Sequence, residues 1–218
     1  MARFKLVGDS RVATLRPLCN DGCDVHCITG ATLNDIRTYI VEDITMHVNA
    51  NKTVPTYVVA AGLCDISSIN YAPNYRELVQ NHIDLNALKG KIDSITQEMK
   101  DLGVTLIWCT IPPAYIMRRN RCFYQQGYHS FTNENNYASY QLLHNELVHR
   151  FNEHIIEINT NNLVHPPYLH RWVQKIKKGK KLYQFWHLYD GVHPSHWLRL
   201  KWSRYIGQIL DKNSIYNL

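Results

Sequence analysis

A serine near the amino terminus stands where a short strand would end. The segment KLVGDSRVATL (5–15) runs from apolar residues into Gly8, Asp9 and Ser10. In one interpretation Asp9 and Ser10 form a polar turn and a helix N-cap, because both side chains accept hydrogen bonds from free helix N–H groups. In the other, Ser10 is a nucleophile held at the carboxyl end of a strand. That second role requires a general base and a site that stabilises an oxyanion.

A histidine near the carboxyl terminus could supply the base. Of twelve histidines, His193 lies in the segment YDGVHPS (189–195), with Asp190 three residues before it. On one tight turn this carboxylate can accept the Nδ1–H of the imidazole and leave Nε2 free to take a proton from a serine. Gly191 gives the backbone freedom and Pro194 stiffens the exit. The spacing therefore predicts a base with its orienting acid, the alternative being an ion pair at a helix start.

The elements that must position these residues are indicated by apolar runs alternating with helical patterns. Strands are predicted at 1–7, 25–28, 57–62, 104–110 and 155–158, and helices at 31–48, 87–101, 136–152 and over the carboxyl-terminal residues. This alternation indicates an α/β domain with a parallel sheet and helices on both faces. The stretches 66–86 and 114–134 are rich in Tyr and Asn, and we expect long surface insertions there.

Parallel strands end at a common edge, which gathers the polar residues that follow them. Ligands of such sheets sit beyond the carboxyl ends of the strands. Ser10, Gly30 and the segment 62–65 each follow a predicted strand. We therefore expect them to lie at one edge, with Asp9 and Asp65 holding the loops through hydrogen bonds from side chain to backbone.

Taken in order, these blocks resemble the SGNH (GDSL-type) hydrolase family. The chain has Gly-Asp-Ser at 8–10, a glycine after the second strand at Gly30, Gly-x-x-Asp at 62–65 and Asp-x-x-His-Pro at 190–194. The blocks extend over nearly the whole chain. The resemblance implies a flavodoxin-like three-layer α/β/α sandwich around a central parallel five-stranded sheet. It also implies a serine esterase that hydrolyses small acyl or acetyl esters, of carbohydrate or lipid, through an acyl-serine and without a cofactor or metal.

Carried over residue by residue, the resemblance assigns roles to four positions. Ser10 would be the nucleophile, His193 the general base and then acid, and Asp190 its orienting partner. The oxyanion hole would use the backbone N–H groups of Ser10 and Gly30.

The third oxyanion donor departs from the family's pattern. The family has an asparagine in a Gly-x-Asn-Asp block, whereas this chain reads Gly62-Leu63-Cys64-Asp65. A thiol is a weaker donor than an amide, and loss of one oxyanion donor typically costs about 10²–10³ in kcat. Three explanations stay open: Asn34 or Asn70 fills the gap, two backbone donors suffice, or the fold serves as a binding module.

A basic segment precedes the histidine. Residues 171–181 carry basic side chains interleaved with Trp172 and followed by Tyr183, Phe185 and Trp186. This pattern suits single-stranded nucleic acid or an anionic membrane, or it is a solvated basic loop. The lysines concerned are Lys175, Lys177, Lys178, Lys180 and Lys181. The alternative function is therefore a catalytically impaired SGNH-like module that binds nucleic acid or an anionic membrane through this surface.

Composition bounds the class of protein. With 218 residues, 45% of them hydrophobic and 19% charged, the chain is predicted to form one globular domain over 1–218. No apolar run reaches the roughly 18 residues of a membrane span, and no signal-peptide core is seen, so we expect an intracellular location. The net charge of +6 is compatible with nucleic acid or an anionic membrane but identifies neither.

The cysteines are predicted to be free thiols, because disulfides are rare inside cells. Cys19, Cys23, His26 and Cys27 are crowded in sequence. They lack the C-x₂-C pairs typical of zinc sites, so we expect no metal there.

Overall fold

The computed structural model describes residues 4–18, 23–129 and 134–215. The strands and helices of these ranges, in chain order, are β1 (Phe4–Gly8), α1 (Ser10–Ala13), β2 (Cys23–Cys27), α2 (Leu33–Asn49), β3 (Thr56–Ala60), α3 (Leu63–Ile66), β4 (Ser67–Ala72), β5 (Tyr75–Gln80), α4 (Leu85–Asp101), β6 (Leu106–Trp108), α5 (Ile116–Gln125), α6 (Glu134–Asn161), β7 (Gln174–Lys177), β8 (Lys180–Tyr183) and α7 (His196–Ile215). Short 3₁₀ turns lie at Arg16–Leu18, Leu169–Trp172 and Phe185–His187.

A parallel sheet in the order β2-β1-β3-β6 forms the middle layer. Its central strands are apolar on both faces because helices cover both. Val7 and Val59 pack into the core under α2, α4 and α6, whereas Leu6 and Val58 pack with Trp202 of α7. The three-layer α/β/α architecture expected from the sequence is confirmed.

The predicted strand at 155–158 is wrong. These residues lie within α6, which continues well past the predicted helix end at 152. Val148, Phe151 and Ile155 are fully buried and recur at helical spacing, which places them on one face of this helix. Among the described residues the central sheet therefore has four strands rather than five.

Side-chain amides of α6 satisfy the backbone along the β6 edge of the sheet. The Asn159 amide accepts from the backbone N–H of Trp108 and donates to its carbonyl, both at 3.0 Å. Asn152 makes the same pair of bonds with Ile111, at 2.8 and 2.7 Å. An unpaired sheet edge leaves backbone donors and acceptors to be satisfied by other means. The two asparagines do this here, so α6 can lie against β6 as a helix.

Side-chain amides also hold the two predicted insertions, 66–86 and 114–134, against the rest of the fold by hydrogen bonds to the backbone. Gln141 of α6 accepts from Ile116 N at 2.9 Å and donates to Ala114 O at 2.8 Å. In α5, Asn120 accepts from Leu78 N at 2.6 Å and donates to Leu78 O at 3.1 Å. The first insertion thus contains the antiparallel hairpin β4–β5 and the second contains α5, which is fixed to β5.

None of the helices in the described ranges combines the length and the apolar character that crossing a bilayer requires.

The amides of α6 predict a specific loss of stability. Asn159→Leu and Asn152→Leu keep the branched shape and the number of side-chain heavy atoms but leave a buried N–H and C=O unpaired, which costs about 1–3 kcal/mol per group. We expect each variant to lower the free energy of unfolding by about 2–5 kcal/mol in urea titrations. Asn161→Leu, at an exposed position of the same helix, serves as the control and should change it by about 0.5 kcal/mol or less. Equal stability of all three variants would refute the role of the amides.

Candidate active site

Ser10 begins α1 directly beyond the carboxyl end of β1. A Cβ on Gly8 would lie 2.3 Å from the carbonyl oxygen of Ala60 and 2.5 Å from a methyl carbon of Val12, so only glycine fits there. Asp9 then caps α1 by accepting from the backbone N–H of Arg11 at 3.0 Å. The close strand contact and the cap together fix the position of Ser10.

A buried ion pair lies under this loop. The guanidinium of Arg11 contacts the Asp9 carboxylate at 2.5 Å, and both side chains are almost fully buried. A buried ion pair is stabilising only with good geometry and with further hydrogen bonds to its charged groups. Here the backbone N–H of Arg11 donates one such bond to the Asp9 carboxylate. Asp65 accepts from Leu33 N at 2.9 Å and so ties α3 to the start of α2. The predicted loop-holding roles of Asp9 and Asp65 are confirmed.

Asp190 organises the turn that carries His193. One carboxylate oxygen accepts from the backbone N–H groups of Val192 at 3.0 Å and His193 at 2.8 Å, and the other lies 2.7 Å from Nδ1 of His193. Gly191 has a φ of +88°, and a Cβ there would lie 2.5 Å from the carbonyl oxygen of Tyr115. Only glycine suits both the conformation and the close approach. We call residues 189–194 the histidine turn.

The structure brings the predicted serine, histidine and aspartate together. Ser10 Oγ lies 2.9 Å from His193 Nε2. Because Asp190 accepts the proton on Nδ1, Nε2 is left as the acceptor for the serine hydroxyl. We call Ser10, His193 and Asp190 the Ser–His–Asp array.

Asp190 is held as a carboxylate. Burial opposes its ionisation, but the hydrogen bonds from the side chain and backbone of His193 and from Val192 N outweigh burial and lower its pKa to about 2. It is therefore charged at neutral pH, as the orientation and stabilisation of an imidazolium require.

Arg119 also contacts Asp190, which the sequence did not indicate. Its guanidinium donates to the carboxylate oxygen that faces His193. The residues are 71 positions apart, and Arg119 lies in a predicted surface insertion. An arginine in such a segment gives no sequence signal for this contact.

The two backbone N–H groups assigned to the oxyanion hole, those of Ser10 and Gly30, follow β1 and β2. Gly30 follows β2 with a φ of +74°, in a turn joined to β1 by the hydrogen bond from Ile28 N to Gly8 O at 2.9 Å. Within the described residues, the backbone N–H groups of Ser10 and Gly30 donate to no other residue.

Gly62 and Cys64 lie at the end of β3. Gly62 has a φ of +110°, and a Cβ there would lie 2.6 Å from the ring of Phe151, so the position requires glycine. Cys64 lies in α3. Burial and then the negative charge of Asp9 raise the pKa of its thiol to about 11. The thiol is therefore protonated at neutral pH, and it is a weak hydrogen-bond donor rather than a nucleophile.

The two asparagines considered as substitutes lie in other surroundings. Asn34 lines a groove between α2 and α4 together with Arg37 and Lys91. Asn70 is exposed on β4, opposite Glu77. Neither side chain hydrogen-bonds to Ser10 in the described ranges.

The cysteine and histidine cluster makes other contacts. His26 stacks on Tyr39 with ring centroids 3.6 Å apart, and Cys27 donates to the carbonyl of Asp9 at 3.4 Å. Cys19 lies outside the described residues. Elsewhere in the chain, as far as it is described, no three His, Cys, Asp or Glu side chains are grouped to hold a metal ion.

The basic segment forms the antiparallel hairpin β7–β8. Cross-strand pairing and the period of two place Lys175, Lys177, Lys180 and Leu182 on one exposed face. Lys181 belongs to the opposite face and pairs with a glutamate of α6 at 3.2 Å. Lys178 lies at the turn with a φ of +50°.

Comparison with solved structures identifies the fold. The chain is similar to a protein from Bacteroides fragilis that has been assigned to the acylhydrolases (TM-score 0.64, 17% identity, 97% of this chain and 87% of that one). It is also similar to a GDSL-like lipase from Bacteroides thetaiotaomicron (0.61, 16%, 99% and 89%) and to the OSK domain of Drosophila Oskar (0.52, 13%, 95% and 88%). No family model and no curated protein matches the sequence.

These likenesses define the class of fold. The chain has the α/β/α fold of GDSL-type lipolytic hydrolases over nearly its full length. The fold expected from the order of the sequence blocks is thereby confirmed. At identities below 20% the likeness is one of fold.

The lowered pKa of Asp190 predicts how stability depends on pH. Its folded-state pKa lies below the unfolded value, so the carboxylate adds stability above pH 4 that is lost as pH falls toward 2. We expect Asp190→Asn to lower the free energy of unfolding by about 2 kcal/mol at pH 6, and by about half as much at pH 3. Urea titrations from pH 3 to pH 6 measure both. Asp211→Asn, which removes an exposed carboxylate, is the control, and a difference constant with pH would contradict the account.

Proposed function

We propose that this protein is a serine esterase that hydrolyses small acyl or acetyl esters of carbohydrate or lipid. The observation that carries the proposal is the Ser–His–Asp array, with 2.9 Å from Ser10 Oγ to His193 Nε2 and 2.7 Å from His193 Nδ1 to Asp190. Nucleophile and base at hydrogen-bonding distance, with a third group orienting the base, are the signature of an activated serine. The fold shared with lipolytic hydrolases supports the same reaction class.

The reaction follows from this geometry. Ser10 Oγ attacks the ester carbonyl carbon while its proton passes to His193 Nε2, and the imidazolium is stabilised by Asp190. The tetrahedral oxyanion is bound by the N–H groups of Ser10 and Gly30. His193 then protonates the departing alcohol as the C–O bond breaks. Water attacks the acyl-serine by the same route, releasing the acid and restoring Ser10.

Hydrolysis of p-nitrophenyl acetate tests the proposal. Ser10→Ala and His193→Ala remove the nucleophile and the base, so each should lower kcat by about 10³-fold or more. Ser94→Ala, at an exposed serine of α4, is the control and should stay within about twofold of the wild type. Circular dichroism would verify that all variants fold. Equal turnover by the wild type and Ser10→Ala would refute the esterase function.

Replacing the thiol at position 64 by an amide is predicted to raise the esterase activity. An amide at this position would supply the third oxyanion donor that a thiol replaces poorly, and one such donor is worth about 10²–10³ in kcat. We therefore expect Cys64→Asn to raise kcat by about tenfold or more. Cys64→Ala removes the thiol without adding a donor and should change kcat by less than about threefold. An unchanged rate in Cys64→Asn would mean that position 64 does not face the oxyanion.

The exposed lysine face of β7–β8 supports a second candidate function. An impaired module that binds nucleic acid or an anionic membrane would use Lys175, Lys177 and Lys180, which pair with no acidic side chain in the described ranges. Its affinity would fall steeply with salt and on changing these lysines to glutamine. A single-stranded oligonucleotide and phosphatidylserine vesicles are the two probes. Binding to one of them, with ester turnover indifferent to Ser10→Ala, would favour this function over the esterase.

A further inference from the structure

A groove of about 430 Å³ lies beside the histidine turn. We call it the α5 groove. It is lined mainly by Tyr115, Arg118, Arg121, Cys122 and Gln125 on one side and by Tyr189 on the other. Its volume falls within the range of small-molecule sites.

The α5 groove adjoins the Ser–His–Asp array. The ring of Tyr189, one wall of the groove, is stacked on the ring of His193 with centroids 5.8 Å apart. Tyr115 donates its backbone N–H to the carbonyl of Gly191 at 2.7 Å. The Cβ of Arg118 lies 3.2 Å from where a Cβ on Gly191 would stand. A substrate held at Ser10 and His193 could therefore extend past Tyr189 into the groove.

The charged side chains that line the groove are two arginines with no ion-pair partner among the described residues. Arg118 and Arg121 are three residues apart on α5 and so share a face of the helix. Neither forms an ion pair with a described residue, whereas Arg119 between them is taken by Asp190. Among the residues that the structure describes, no carboxylate lines the groove. Arginine presents a planar fork of donors that matches carboxylate and phosphate oxygens, which makes these two residues suited to an anion.

We propose that the α5 groove binds an anionic oxygen group, a carboxylate or a phosphate, on the ester substrate. The enzyme would then prefer esters that carry a negative charge close to the ester bond. Arg118 and Arg121 bind the anion, while the rings of Tyr115 and Tyr189 flank the part of the substrate that leads to it. This inference rests on the proposed esterase function and specifies its substrate class.

Matched pairs of esters test the preference. 4-Acetoxybenzoate and its methyl ester differ by one charge on the alcohol side. 4-Nitrophenyl hydrogen terephthalate and 4-nitrophenyl methyl terephthalate differ by one charge on the acyl side. After normalisation to hydroxide-catalysed hydrolysis, we expect kcat/KM to favour the anion about tenfold or more in at least one pair.

The arginines should account for that preference. In the double variant with Arg118→Gln and Arg121→Gln we expect the ratio to fall to about one, through a loss of kcat/KM for the anionic ester. Arg204→Gln, at an exposed arginine of α7, is the control for net charge and should keep the ratio. A preference absent from both pairs, or unchanged in the double variant, would overturn the proposal.

Equilibrium binding separates this proposal from the esterase function. Titrating benzoate, phenyl phosphate and neutral benzamide into Ser10→Ala by calorimetry needs no turnover, and the two anions tell a carboxylate site from a phosphate site. We expect at least one anion to bind about tenfold tighter than benzamide, and to lose that advantage when Arg118→Gln and Arg121→Gln are added. Anions that bind no tighter than benzamide, or equally well without the arginines, overturn the groove. No ester turnover together with arginine-dependent anion binding overturns the esterase function alone.

Discussion

The carboxylate of Asp190 is the group on which the site depends. It accepts from Val192 N, His193 N, His193 Nδ1 and the guanidinium of Arg119. The backbone bonds close the histidine turn, the imidazole bond directs Nε2 toward Ser10, and the arginine brings α5 against the turn. Burial of the carboxylate raises the cost of leaving any of these donors unpaired. One ionised side chain thus joins the base, the turn and the helix that lines the α5 groove.

The sheet positions Ser10 through constraints of a different kind. Gly8 must be glycine because β1 and α1 approach Ala60 and Val12 too closely for a Cβ. At the β6 edge of the sheet, the side-chain amides of Asn152 and Asn159 hydrogen-bond the backbone N–H and C=O groups of Ile111 and Trp108. The amides allow a helix to lie where a fifth strand was expected. The central sheet therefore has four described strands, and Ser10 follows the carboxyl end of one of them, β1.

The parts of this structure that sequence predicts are those set by local spacing. Asp190 and His193 are three residues apart, so their contact follows from one turn. The four described strands of the sheet were predicted from short apolar runs in the sequence. The segment 155–158 failed because its apolar, β-branched residues fit either a buried strand or a buried helix face. The helix also carries the pairing of Asn159 with β6, a long-range contact that no local pattern encodes. Arg119 was missed for the same reason.

Labelling with a fluorophosphonate tests the central claim most directly, because such a reagent reacts with a serine whose proton is taken by a neighbouring base. The folded wild type should carry one adduct, mapped by mass spectrometry to Ser10. The adduct should be lost in His193→Ala, which retains the serine but lacks the base. A folded wild type that stays unlabelled, an adduct on another residue, or equal labelling of Ser10 in His193→Ala would contradict an activated Ser–His–Asp array.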